Sequence, residues 1–163
     1  MTPRGKGKGS TFTSWGLDKI TVMIEPRAKA RPRASRRGGR VHKDPKTAIW
    51  EREFAYLVAD KAPRKPLEGP LRLVVVFVMP RPQRYYRKKD PPGLMWTQAK
   101  PDASNMLKAV EDALQPTWYA DDSQLVQVEA FKVYAEKEGQ PRVEFWLTEL
   151  DLEPDLALFL IGG

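Results

Sequence analysis

The chain of 163 residues carries 28 Lys or Arg against 21 Asp or Glu, a formal charge of +7, and has no cysteine. That length suits one domain able to bury a core without cross-links. The missing cysteine excludes disulfides, thiolate nucleophiles and cysteine zinc sites, and it suits a reducing compartment, so the cytoplasm is the expected location. No apolar run approaches the roughly 20 residues of a membrane span, and the N-terminus lacks the apolar core of a signal peptide, so no membrane partner is expected.

Charge is unevenly spread. Residues 1–46 hold 13 basic and 3 acidic side chains, which leaves the remainder slightly acidic. A basic arm on a near-neutral body is the electrostatic footprint of a protein that meets a polyanion, nucleic acid first among them.

In chain order, Met1 to Trp15 is rich in Gly, Lys, Ser and Thr with little to bury, and residues 1–17 are expected to form a flexible basic arm. Lys19 to Ile24 alternates and is β-branched, which predicts a first strand. Glu25 to Arg40, E-P-R-A-K-A-R-P-R-A-S-R-R-G-G-R, has prolines and glycines that forbid a helix, so its basic side chains are expected to project from an extended loop. Guanidinium groups suit bidentate phosphate contacts. Lys29, Arg31, Arg33, Arg36, Arg37, Arg40 and Lys43 are therefore candidate DNA contacts. His42, at the edge of this run, reads as a backbone contact or a plain surface residue.

Pro45 to Lys61 predicts a helix with Ile49, Trp50, Phe54, Leu57 and Val58 on its buried stripe. Arg64 to Pro70 predicts a turn, and Leu71 to Val78 a central strand covered on both faces. Met79 to Ala99 is too polar and proline-rich for the interior. Its Arg84, Arg87 and Lys88, interleaved with Tyr85 and Tyr86, suit phosphates and exposed bases, although the tyrosines also read as partly buried anchors. Leu125 to Tyr134 and Arg142 to Leu147 predict strands joined as a hairpin, with a bulge near Ala130 and Phe131. The C-terminal tail, 149–163, is acidic and then apolar, and is expected to pack on the body or on a second subunit.

The stretch Lys100 to Gln124 carries the chemistry. Met106, Leu107, Val110, Ala113 and Leu114 recur at helical spacing, while Ser104, Lys108 and Glu111 fall on the opposite stripe. Asp102 lies before this helix, and Asp121 and Asp122 follow the turn after it. Clustered carboxylates repel unless a cation sits between them, and all-oxygen sites suit Mg²⁺ or Mn²⁺. The same residues also read as ordinary helix caps and a turn into a strand.

Three segments, in order, resemble the RusA family of Holliday junction resolvases: E-P-R-A-K-A-R-P-R from Glu25 to Arg33, D-P-K-T-A-I-W-E from Asp44 to Glu51, and K-P-D-A-S-N-M-L-K-A-V-E-D-A-L followed by A-D-D-S-Q. The last is similar to that family's K-P-D-x-D-N-x-x-K, D-A-L and D-D-x-Q elements, and the likeness runs from about Thr21 to Leu147. It implies an α+β fold, one domain over 18–148, with a small mixed sheet packed against two main helices. It also implies a homodimeric, Mg²⁺-dependent endonuclease, with Mn²⁺ as a possible substitute, that nicks four-way DNA junctions symmetrically. The family's metal-binding aspartates fall on Asp102 and Asp122 with Asp121 adjoining, its essential lysine on Lys108 and its asparagine on Asn105; Lys100 joins the candidate DNA contacts.

One position departs from the pattern, since Ser104 stands where the family has a second aspartate. A hydroxyl is a much weaker ligand than a carboxylate for a hard divalent ion. Glu111, roughly 10 Å along the helix axis on the same face, could substitute through water. Alternatively Ser104 orients a metal-bound water, or the protein binds junctions and cuts them poorly.

Overall fold

A computed structural model of the chain describes residues 19–30, 33–34, 41–42 and 44–154. The basic arm 1–17, Arg31, Arg36, Arg37, Arg40, Lys43 and the apolar part of the tail lie outside the described residues.

The centre of the molecule is strand β4, Leu71–Met79, whose apolar run L-R-L-V-V-V-F-V-M leaves only Arg72, Val76 and Met79 partly exposed. A strand apolar on both faces needs neighbours at both edges and cover on both sides. With β1 (Ile20–Val22), β5 (Met95–Trp96), β6 (Leu125–Tyr134) and β7 (Arg142–Glu149) it forms a five-stranded sheet in the order β1-β7-β4-β6-β5. β4 and β6 are parallel, and the other pairs are antiparallel.

Two helices, α1 (Pro45–Val58) and α2 (Ala103–Leu114), cover one face. Leu71, Leu73, Val75 and Phe77 of β4 meet Phe54, Val58, Met106, Val110 and Leu114 there, together with Val143 and Phe145 of β7. Val76 and Val78 on the other face form a smaller cluster with Val133 and Ala135. The protein is thus a single small α+β domain with a mixed sheet and two main helices.

Three local expectations need correction. β6 and β7 do not form a hairpin, because β4 is inserted between them and pairs with both. The register shift falls at the start of β6, where Leu71 pairs with Leu125 and Arg72 with Gln127, so Val126 is the extra residue; Ala130 and Phe131 pair regularly with Val75 and Val76. On α1 the buried stripe is Thr47, Trp50, Glu51, Phe54 and Val58, whereas Ile49 and Leu57 are exposed. Ile49 lies two residues from Thr47, about 160° around the helix from that stripe.

Part of the basic loop does form strands. β2 (Arg33–Ala34) and β3 (Val41–His42) pair antiparallel, Arg33 opposite His42. Before them, residues 25–30 are strapped across both helices. Trp50 Nε1 donates to Glu25 O at 2.9 Å, Lys29 N donates to Asn105 O at 3.1 Å, and Ala30 N donates to Thr47 Oγ1 at 3.3 Å. Thr47 Oγ1 in turn donates to Asp44, the N-cap of α1, at 3.2 Å.

Candidate functional site

α2 has a large apolar face turned to the core and a polar face turned outward. Met106, Ala109, Val110, Ala113 and Leu114 are buried, while Ser104 and Lys108 are exposed and Glu111 is half-buried. Asp102 takes the N-cap position but does not cap the helix with its side chain; its carboxylate accepts from Lys100 Nζ at 2.7 Å. The backbone ahead of it is held from the sheet, since Lys132 Nζ donates to Ala99 O at 2.6 Å and Pro101 O at 3.0 Å.

Beyond the helix, Tyr119 is fully buried and donates its hydroxyl to Glu111 O at 2.9 Å, which ties the following loop back onto α2. Burial pushes this phenol well above its usual range, so it stays protonated. The chain then makes a short 3-10 turn, Asp122–Gln124, capped by Asp121, whose carboxylate accepts from Ser123 N at 2.8 Å. That backbone hydrogen bond holds the Asp121 carboxyl below its ordinary value.

Gln124 fixes this turn with both ends of its side-chain amide. Its Oε1 accepts from Ala120 N at 3.0 Å and Asp121 N at 3.2 Å. Its Nε2 donates to Leu67 O at 2.9 Å and Gly69 O at 3.1 Å. The Asp121–Asp122 turn is thereby locked to the segment that leads into β4.

So positioned, Asp122 meets the polar face of α2. Lys108 Nζ lies 2.9 Å from Asp122 Oδ2 and 3.4 Å from Glu111 Oε2. Its hydrogen bond to Asp122 raises the Lys108 pKa, so the ammonium is retained at neutral pH. One turn behind, Lys29 is paired with Asp112, both side chains being largely buried. Five carboxylates (Asp102, Glu111, Asp112, Asp121 and Asp122) thus share this region with four ammonium groups, Lys29, Lys100, Lys108 and Lys132. The residual charge is negative in a chain whose net charge is positive.

Among the described residues no three His, Asp or Glu side chains converge closely enough to hold a metal ion by themselves. The carboxylates are divided, Asp102 with Lys100 at the start of α2 and Glu111 with Asp122 around Lys108. Mg²⁺ keeps several waters and is commonly held by one or two carboxylates together with substrate phosphate oxygens. The donor set fits an ion shared between protein and phosphate, not one closed in a protein cage.

The other candidate contacts are dispersed. Lys88 is exposed. Arg84 lies over the Tyr85 ring at 4.9 Å, and its hydrogen bond to that phenol raises its pKa. Arg87 is held by Asp90, Nε to Oδ2 at 3.1 Å. Tyr85 is a partly buried anchor, 5.4 Å from Tyr134, and Tyr86 is exposed. Sequence reasoning missed Gln124, Thr47 and Asp112 as organisers of the site. A glutamine two residues after an Asp-Asp pair was the available signal for the first; Thr47's contact with Ala30 and Asp112's with Lys29 join segments distant in sequence.

A family model described as Endodeoxyribonuclease RusA matches residues 23–146. The chain is 37% identical over 139 residues to the uncharacterized protein YqaN of Bacillus subtilis (strain 168), covering 81% of this chain and 96% of that protein. It is 35% identical over 82 residues to the crossover junction endodeoxyribonuclease rusA of Lactococcus phage r1t, covering 50% of this chain and 56% of the phage protein. The match begins just after β1 and spans β4, β5, β6 and β7 as far as Trp146, together with both helices and the charged face of α2, and on it the chain belongs to the RusA family of endodeoxyribonucleases.

Proposed function

We propose that this protein is a structure-selective endonuclease that resolves four-way DNA junctions by divalent-metal-dependent phosphodiester hydrolysis, as a homodimer in the cytoplasm. The observation that carries the reading is Lys108 held between Asp122 and Glu111 on the exposed face of α2, in a chain of a nuclease family. Asp102 and Asp122 would hold Mg²⁺, or Mn²⁺ in its place, with Asp121 adjoining. When bound, such an ion activates water and offsets charge on the phosphate.

The chain's own residues do the rest. Lys108 keeps its proton and supplies a fixed positive charge where the transferred phosphoryl group becomes more negative. Glu111 and Asp122 hold that ammonium in place before DNA arrives, and Gln124 holds Asp122. Asp121, engaged with Ser123 N, orients the turn. Lys100 and Lys88 offer exposed charge to the DNA backbone, and the basic composition of residues 27–43 adds to the attraction for a polyanion. A homodimer supplies two such sites related by a twofold axis, as paired nicks require.

A second reading, a junction-binding protein that cuts poorly, is favoured by one observation: Ser104 is exposed on the charged face of α2 where a carboxylate would complete the ligand set. A labelled four-way junction titrated with Mg²⁺ and Mn²⁺ separates the two. The nuclease reading expects binding in EDTA and symmetrical nicks once either ion is added. Binding with no cleavage in either ion overturns it in favour of the binder.

A further inference from the structure

Strand β5 is only two residues long, pairs with β6 alone and forms the outer edge of the sheet. Its second residue, Trp96, is 72% exposed, and Leu94 beside it is 45% exposed. Tryptophan has the largest apolar surface of any side chain, and leaving most of it in water forgoes the stabilisation burial would give. The ring is nonetheless held in place. It lies 6.3 Å from Phe131 at an interplanar angle of 36°, and its backbone is in register with Val133.

The platform is also fixed relative to the charged face of α2. Thr97 N donates to Lys132 O at 3.4 Å, and the same lysine's ammonium holds Ala99 O and Pro101 O immediately before Asp102. Both the indole and the start of α2 are therefore referenced to one residue of β6. Six peptide steps separate Trp96 from Asp102, at most about 20 Å of extended chain. A strand whose phosphate lies at Asp102 would pass Trp96 within a few nucleotides.

The surroundings identify the occupant. Lys100 has a side chain 84% exposed, and Lys88 and Lys89 are exposed in the loop that Lys137 ties down through Arg87 O and Pro92 O. Lysine is depleted at the centre of protein interfaces, whereas a fixed aromatic ring among exposed cations is the arrangement that stacks single-stranded bases. We infer that Trp96 is a stacking platform for an unpaired nucleobase at the branch point of DNA bound across the α2 face. This rests on the branched-DNA reading above. Unstacking costs least where pairing is already interrupted, so the contact would favour a junction over a continuous duplex.

The test uses the full-length protein in EDTA with synthetic four-way junctions carrying a fluorescent adenine analogue at each branch position in turn, beside a linear duplex of the same sequence. Wild type should alter the emission of the analogue at a branch position and bind the junction more tightly than the duplex. Trp96→Ala should abolish that emission change and weaken junction binding about tenfold with duplex binding unchanged. Trp96→Phe should restore most of both, which separates stacking from misfolding. Trp96→Ala retaining junction preference and emission change would overturn this inference alone. So would a dimer that dissociates on sedimentation of Trp96→Ala, since the surface would then be a protein interface. Failure of wild type to prefer the junction would overturn the functional reading and this inference with it.

Discussion

Gln124→Ala removes four hydrogen bonds at once, two accepted from Ala120 N and Asp121 N and two donated to Leu67 O and Gly69 O. At a net contribution of about 1 kcal/mol each, the loss is bounded at about 4 kcal/mol. Ala120, Asp121 and Gly69 are exposed, so water re-solvates most of the stranded groups and leaves a loss of about 2 kcal/mol. For a domain of this size that lowers Tm by about 4–8 °C, measurable by circular dichroism. The functional effect should be larger than the stability effect at temperatures where the variant is folded. Asp122 is presented to Lys108 by the turn that Gln124 anchors, and misplacing such a group by about 1 Å costs up to about a hundredfold in rate. Gln124→Glu keeps the oxygen that accepts from Ala120 N and Asp121 N but turns a second carboxylate oxygen toward two carbonyls, so it should be no better than alanine. If Gln124→Ala melts within about 1 °C of wild type and nicks junctions at the wild-type rate, the turn is not held as described.

Lys108→Ala should lower single-turnover junction nicking by about 10²–10³-fold while leaving junction affinity nearly unchanged, and Lys108→Arg should recover only part of the rate because a planar guanidinium does not reproduce a point charge. Ser104→Asp should lower the Mg²⁺ concentration needed for half-maximal nicking, measured by titration; an unchanged requirement would mean that the position does not face the ion. Arg142 pairs with Glu136 at 2.8 Å and by hydrogen bonding holds its carboxyl down to about 2. A lowered folded-state pKa stabilises above the ordinary carboxyl value and is lost as pH falls through the folded one. The stability gap between wild type and Arg142→Gln in urea unfolding should therefore be on the order of 1 kcal/mol at neutral pH and narrow between about pH 4.5 and pH 2.

The strands and helices were legible where a residue's own neighbours determine its environment. β4 could be read as central because its run of Val, Leu and Phe can be satisfied only by burial on both faces. α2 could be read from its apolar repeat, four of whose five residues are buried and the fifth, Leu107, partly so. The misreadings arose where the partner lies far along the chain. β6 and β7 are consecutive, and a short polar connection between two strands suggests a hairpin, but β4 needs a neighbour on each edge and takes one from each of them. Ile49 was assigned to the core for its side chain, although the stripe through Thr47, Trp50, Phe54 and Val58 leaves it on the far side of α1. At the site, the charged residues were visible as a motif, but how they are held was not. Gln124 reaches back more than fifty residues to Leu67, and Lys29, read as a DNA contact, is occupied by Asp112 of α2.

The central claim is that Asp102 at the start of α2 and Asp122 beside Lys108 on its exposed face hold a divalent ion against DNA phosphate, and Mn²⁺ binding measured by calorimetry tests it without relying on cleavage. The account predicts that wild type mixed with a four-way junction binds Mn²⁺ more tightly than either component alone, and that Asp102→Asn and Asp122→Asn each abolish the gain while the junction remains bound. Mn²⁺ binding that is unchanged in both variants would contradict it.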